Sequence, residues 1–440
     1  MDDRRGLTAL QFQRSGGVDD WRVLAFGARA WFAASSHAAG AELVRHVVSI
    51  GHAAGLVPDI DLRASGVQVR IGSASGLTDD DVATARATSA AARQLGLAAD
   101  PSVLHEVQLT IDTARSASVM GFWRAALAYD ELDADDLVDP GGRDPSIWFQ
   151  DMDVVRPLRN RVHLDVGVPP ELVRRRIASI EAAGGRVARR SDFHVALADA
   201  EGNEVDVVPL QPEGELADAP ERADWRLLFG AMAHYRTTDR AIVAELAAVT
   251  AALADEADVE LLIDIRPRGV TIDSGKDRWV HERFADLAAR VQAAARGLGL
   301  HADPAPLRFV QVGIDAVDVS KVRAFWRAVL GYELDTRAFV TDIFDPRQLA
   351  VPMFFQPMSA DETERRAQRN RTHVDVFVPD DQAEVRVAAA LAAGGRVVYD
   401  AEAPEWWTLA DPEGNEVDIA VAVGREERWA ARRGADDSHP

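Results

Sequence analysis

Arg159-Asn160-Arg161-Val162-His163-Leu164-Asp165-Val166 returns 210 residues later as Arg369-Asn370-Arg371-Thr372-His373-Val374-Asp375-Val376. The stretch alternates polar and apolar side chains, the signature of a strand with two unlike faces. Arg161, His163 and Asp165 point one way, and Val162, Leu164 and Val166 point the other. An ordinary strand turns its polar side to water. A curved sheet would instead gather such side chains into a cup.

The repetition runs outward from this strand in both directions. Asp61-Leu62-Arg63 returns as Asp264-Ile265-Arg266, and Gln108, Asp112, Phe122-Trp123-Arg124 and Tyr129 return as Gln311, Asp315, Phe325-Trp326-Arg327 and Tyr332, all 203 positions on. Downstream, Glu201-Gly202-Asn203-Glu204-Val205-Asp206 returns as Glu413-Gly414-Asn415-Glu416-Val417-Asp418 at an offset of 212. The growing offset places insertions in loops and leaves the strands in register. A unit of about 200 residues exceeds the ~20–50 of a solenoid, so the chain is a duplicated multi-domain block. Polar residues present in both copies become the candidates for chemistry.

Coarse periodicity divides each copy. In the first, Ala38 to Ala54 has helical spacing and Gly66 to Ile71 alternates as a strand. Thr78 followed by Asp79-Asp80-Asp81 reads as a capped helix start, with acids at the positive end of the helix dipole. From Leu104 the pattern becomes strand, helix, strands, performed twice within about 105 residues. On the Val107 to Asp112 strand Gln108, Thr110 and Asp112 share a face; on the last strand Glu204 and Asp206 do. The resulting division is a leader at 1–16, domains at 17–101 and 102–211, a linker at 212–222, domains at 223–304 and 305–423, and a charged, frayed tail at 424–440.

Composition narrows the function. The chain has 440 residues and a formal charge of −22, which argues against nucleic acid or an anionic membrane as partner. With no cysteine, thiolate nucleophiles, disulfides and zinc–thiolate sites are excluded. Basic residues are nearly all arginine, with lysine only at Lys276 and Lys321. No apolar run has the length of a signal or a membrane span, so a cytoplasmic protein is the expectation. Nucleotide-binding glycine loops, nucleophile elbows and HExxH are missing from the sequence.

The strand, the FWR helix ending in Tyr, the RNRxHxD strand and the EGNEVD ending together resemble the vicinal oxygen chelate superfamily, in particular its glyoxalase-like branch, over roughly 103–210 and 306–423. The resemblance implies an α+β fold in which paired βαβββ modules form a cup for a divalent metal. Carried onto this chain, the ligands fall on Gln108 and Gln311, on His163 and His373, and on Asp206 and Asp418. A fourth falls on the strands of Gln150 and Gln356. Gln and Asp stand where the family commonly has His and Glu. That donor set suits Mn, Fe, Ni or Mg better than zinc. The same resemblance implies that the two halves can exchange ligands as an intramolecular pseudo-dimer, pairing Gln108 with His373 and Asp418. Homo-oligomers are a further expectation.

The other half of each copy resembles the pterin carbinolamine dehydratase fold, on the helix before Pro58, the Val67 to Ile71 strand and the GLTDDD helix start. Its catalytic His-His-Pro would fall on Leu56, Val57 and Pro58, and its third His on Ala74 or Gly72. The imidazoles are gone, which implies that fold without its acid–base chemistry. The leading expectation is therefore a glyoxalase-like protein that binds or converts a small molecule by metal-dependent lyase, isomerase or dioxygenase-type chemistry. Arg161 and Arg371 would clamp an anionic group, Glu204 and Glu416 would act as bases, and Trp406 and Trp407 would form a stacking wall. The alternatives are a non-catalytic protein that sequesters a small molecule, and a residual dehydratase-like or assembly role.

Overall fold

The alternating stretches become strands of three eight-stranded sheets in the computed structural model, which describes residues 6–72, 76–210 and 219–436. The central sheet takes half its strands from each copy. Arg22–Val23, Ala28–Ala33, Gly66–Ile71 and Asp59–Arg63 continue into Leu262–Arg266, Gly269–Asp273, Gly230–Arg236 and Arg226–Leu228. Its apolar side packs under the helices His37–Ala54, Asp79–Gln94, Arg240–Ala257 and Phe284–Gly297 in one core. Thr78 caps Asp79–Gln94 and Asp81 returns the bond in a capping box, so the acidic start does what its spacing predicts.

The copies join where Asp59–Arg63 runs antiparallel to Leu262–Arg266, with Asp61 directly opposite Asp264. Like charges so placed repel, and the repeated arginines answer them. Arg63 Nη1 lies 2.8 Å from Asp264, and Arg266 Nη2 lies 2.6 Å from Asp61. Arg143 adds a third guanidinium at 2.5 Å from Asp264. Against the upward push of burial, Arg63, Arg143 and Arg266 hold the Asp264 carboxyl well below the usual range. The Asp-x-Arg repeat is thus the seam of the central sheet.

The other two sheets are composites of the two copies. Val162–Gly167, from the first copy, pairs antiparallel with Phe309–Ala316 from the second. Thr372–Phe377 pairs in the same way with Glu106–Thr113. Each composite sheet therefore holds the last four strands of one of the regions 102–211 and 305–423 and the first four of the other. Their apolar sides share a single core with the helices Ser116–Leu127, Val173–Ala182, Val319–Leu330 and Ala383–Ala392.

A polar interlock closes this joint, and it absorbs most of the repeated motif residues. Asn160 Oδ1 accepts from the Arg371 amide and Asn370 Oδ1 from the Arg161 amide, each at 2.9 Å. The Arg161 guanidinium donates to the Glu413 carbonyl at 2.6 Å, and Arg371 Nε donates to Asn203 Oδ1 at 2.8 Å. Asp199 and Asp411 hold the EGN turns through the amides of Asn203 and Asn415 and accept the indole N–H of Trp123 and Trp326. Gly202 and Gly414 sit at φ +86° in those turns, where a side chain would be strained.

The described parts of both chain ends, 6–16 and 424–436, depart from the expectation of a loose leader and tail. Thr8 caps the helix Ala9–Gln13, and Phe12 on it is fully buried. The helix Arg425–Asp436 aims Arg425, Arg428 and Arg432 at Glu405, which is fully buried, at 3.0 to 3.5 Å. Those three arginines lie three and four apart, on one helix face, so the charge that reads as disorder in sequence is a clamp on a buried acid. The expected linker at 212–222 lies largely outside the described residues. The edge strands Arg186–Arg190 and Arg396–Tyr399 show no polar–apolar alternation to announce them, the first being rich in arginine and the second exposed throughout.

Strand exchange predicts that residues 305–423 alone cannot bury the edges of Phe309–Ala316 and Thr372–Phe377. Expressed by itself, this segment is expected to dimerise or aggregate. Size exclusion with light scattering checks this, and a stable monomer would contradict the exchange. Asn370→Ala strips the buried Arg161 amide of its acceptor and is expected to cost about 1–3 kcal/mol in denaturant melts.

Candidate functional site

The polar side of each composite sheet is where the expected cup would lie, and the register says which side chains meet there. In the first, Asp206 lies beside Asp165, and Asp165 beside Gln311, across three neighbouring strands. His163 stands opposite Gly313, where a Cβ would come within 2.5 Å of its ring. Only glycine lets the imidazole lie across the neighbouring strand. In the second, Asp418 lies beside Asp375, Asp375 beside Gln108, and His373 opposite Thr110. The pairs brought together are Gln311 with His163 and Asp206, and Gln108 with His373 and Asp418.

His163, Asp165 and Asp206 form one group whose ligand atoms all lie within 4.8 Å of one another, and His373, Asp375 and Asp418 form another. The second carboxylate of each group, Asp165 or Asp375, was visible in the HxD motif. Sequence reasoning gave it no role as a ligand, since the resemblance assigns the carboxylate to the last strand. Alternation was the usable signal: a residue two beyond the histidine must share its face.

Hydrogen bonding distinguishes the two cups. In the first, Gln311 Nε2 donates to Asp165 at 2.9 Å, and Lys276 Nζ donates to Gln311 Oε1 at 2.7 Å and also to Asp342. Gln356 Nε2 lies 3.0 Å from His163 Nε2, and the Phe354 ring packs edge-on against that imidazole. In the second, Thr110 Oγ1 donates to Asp375 at 2.8 Å, and Gln108 reaches Asp136 at 3.5 Å. Burial raises Asp165, Asp418 and Asp342, with Lys276 opposing the shift of Asp342. Burial, helped by the nearby Asp418, pushes Asp375 up to about 7.

The donor set fits a hard or borderline cation. One imidazole and two carboxylates converge in each cup, and buried ligand atoms are left over. Asp206 Oδ1, Asp375 Oδ1 and Asp418 Oδ1 have no hydrogen-bond partner, a cost that an ion would remove.

The remaining candidates separate. Glu204 and Glu416 lie on the cup face beside Asp206 and Asp418, bridged to Arg159 at 2.8 Å and to Arg369 at 2.7 Å. Arg161 and Arg371, expected as anion clamps, are 1 % exposed. Their contacts are backbone carbonyls and an Asn side chain of the joint, so the charge is enclosed rather than presented to a ligand. Trp406 and Trp407 alternate. Trp406 packs with Leu24, Trp31 and Phe377 and stacks on Tyr399, whereas Trp407 packs into the shared core behind the sheet. The expected two-tryptophan wall is therefore a single tryptophan beside a tyrosine.

Residues 108–208 and 311–420 match the family model described as a glyoxalase-like domain. The chain thus carries two glyoxalase-like repeats, and the strands of the central sheet lie outside both matched regions. No curated protein matches the chain. Two structures of glyoxalase I mutants from Zea mays are similar at 9 % identity, covering 72 % of this chain and 93 % and 95 % of their own, with TM-scores of 0.36 and 0.37. A hypothetical protein from S. aureus is similar at 14 % identity over 25 % of this chain and 89 % of its own, with a TM-score of 0.21. No helix among the described residues is long and apolar enough to cross a membrane.

The raised Asp375 carboxyl carries a pH dependence. Its folded value near 7 exceeds the ordinary 3.8, so the folded protein holds a proton that the unfolded chain releases. The stability tied to that proton is complete below about pH 4 and is lost as pH rises through 7. In metal-free protein, Asp375→Asn is expected to melt progressively higher than the wild type from pH 5 to pH 8. A melting difference independent of pH would contradict this.

Proposed function

We propose that this chain is a glyoxalase-like, metal-dependent enzyme acting on a small molecule with two adjacent oxygens, in cups built jointly by its two repeats. The observation that carries the reading is the pair of His-Asp-Asp groups, each with buried ligand atoms that lack partners. His163 or His373 supplies a neutral nitrogen and the Asp pairs supply charge, while Gln311 and Gln108 stand beside them as amides. Mn, Fe, Ni or Mg suits these donors. Once bound, such an ion would hold vicinal oxygens and act as a Lewis acid.

The chain's own groups then orient and protonate. Glu204 and Glu416, on the same face, are carboxylates that can take a substrate proton once Arg159 or Arg369 yields. Asp375, poised near 7, can hold a proton at its unpaired oxygen and release it when a cation arrives. Lyase and isomerase reactions need this combination of a fixed anion site and a nearby base.

A non-catalytic, sequestering role is the second reading. It is favoured by a cavity of about 400 Å³ between the central sheet and the loops around Gly142 and Gln348, bordering the His163 cup at Lys276 and Asp342. It requires tight ligand binding without turnover.

Elemental analysis of protein purified without chelator decides between them, beside His163→Ala/His373→Ala. A first-row metal near stoichiometry in the wild type and missing from the double variant is the expected result. No metal after reconstitution with Mn²⁺, Fe²⁺ or Ni²⁺ would leave sequestration in front.

A further inference from the structure

The two cups share a fold but differ in charge, and one residue from outside the glyoxalase-like repeats makes most of the difference. Lys276 sits in the turn after Gly269–Asp273, in the central sheet, and reaches into the His163 cup. Its ammonium bonds Gln311 Oε1 at 2.7 Å and pairs with Asp342, and it lies over the rings of Phe229 and Phe354 at 5.6 and 5.9 Å. The turn is anchored: Gly275 N–H donates to Asp273 at 2.8 Å, Asp277 N–H to the Phe229 carbonyl at 2.8 Å, and Arg337 pairs with Asp277 at 3.0 Å. Lys276 also fixes the amide of Gln311. With Oε1 turned to the ammonium, its NH₂ faces Asp165 at 2.9 Å, so Gln311 offers an ion no oxygen and occupies one of the carboxylates.

Two more basic groups face the same cup. His194 Nε2 lies 3.3 Å from Asp206, and Arg189 lies 3.7 Å from it. In the His373 cup the register puts Trp406 where His194 stands and Tyr399 where Arg189 stands. At the 203-residue offset, Lys276 corresponds to Ser73, and no lysine other than Lys276 and Lys321 exists in the chain. Arg425, whose charge reaches Asp375, is drawn to the buried Glu405 at 3.5 Å. Asp375 is 6 % exposed, and its Oδ1 and that of Asp418 lack hydrogen-bond partners, with His373 Nε2 3.5 Å from the Asp375 oxygen.

We propose that the cups are functionally unequal: the His373 cup takes a divalent cation, while Lys276 stands in as the built-in cation of the His163 cup and keeps metal out of it. This rests on the metal-dependent reading above. A dication in the His163 cup would sit a few ångströms from an ammonium held in a half-buried site, where screening is weak. The same dication in the His373 cup meets two carboxylates short of countercharge.

The test is a Mn²⁺ titration of the chelator-stripped, full-length protein, followed by calorimetry and by elemental analysis after desalting. The wild type is expected to bind one ion per chain. His373→Ala should bind none and His163→Ala still one, which locates the ion without touching Lys276. Lys276→Met should bind two, with Lys276→Gln as the substitute if the methionine variant fails to fold. Two ions in the wild type, loss of the ion in His163→Ala, or one ion in the folded Lys276 variant would each overturn the inequality. No ion in the wild type or in the variants would sink the metal reading itself along with it.

Discussion

Everything in this chain that resembles a site depends on strand exchange between its copies. Neither glyoxalase-like region pairs its own two central strands. Val162–Gly167 finds its partner in Phe309–Ala316, and Thr372–Phe377 finds its own in Glu106–Thr113. A backbone edge left unpaired in a core costs too much to tolerate, so neither repeat can close its sheet without the other. The interlock of Asn160, Asn370, Arg161 and Arg371 is the polar consequence. It lies in the joint, it is buried, and it stabilises only if nearly every member finds its partner.

Duplication within one chain removes the symmetry that a dimer of identical subunits would impose. In a homodimer, both cups would hold the same residues. Here Gly313 corresponds to Thr110, Phe354 corresponds to Trp148, and His194 corresponds to Trp406, so each cup could change alone. The central sheet shares in this freedom. It lies against both composite sheets, and a single turn from its second half delivers Lys276 to one cup only.

The sequence made the faces legible, but not the partners. Alternation placed Gln108, His163, Asp206 and their counterparts on cup-facing sides, and the repeat offsets placed insertions in loops. The exchange could be expected from resemblance alone, since register between strands whose paired residues lie 142 or more apart leaves no local trace. Asp165 and Asp375 were visible but unassigned. Arg161 and Arg371 are ambiguous for a physical reason: an arginine repeated two residues before a histidine reads the same whether it meets a ligand or a carbonyl. Lys276 was noticed only as a rare residue type, because its contact with Gln311 crosses from one sheet to another. The charged stretch after Gly424 reads as a frayed tail in sequence, because Arg425, Arg428 and Arg432 reveal a purpose only once Glu405 is known to be buried.

The division of labour among charged side chains follows from their chemistry. The seams are held by arginine: Arg63 and Arg266 at the central sheet, Arg161 and Arg371 at the composite joint, Arg308 and Arg156 in the loops beside them, each less than 9 % exposed. Guanidinium stays protonated across the accessible pH range and offers a fixed fork of donors, so these seams keep their charge whatever the solution does. The cups are lined instead by His and Asp, with Asp375 and Asp136 both pushed up to about 7 by burial. Asp144, beside Arg143 and Arg308 and outside the cups, is pushed up to about 7 by burial as well, so the frame holds a titrating carboxyl of its own. A lysine in such a frame is the exception that marks a difference between cups, since its compact ammonium can stand where a metal ion would, as no guanidinium fork could.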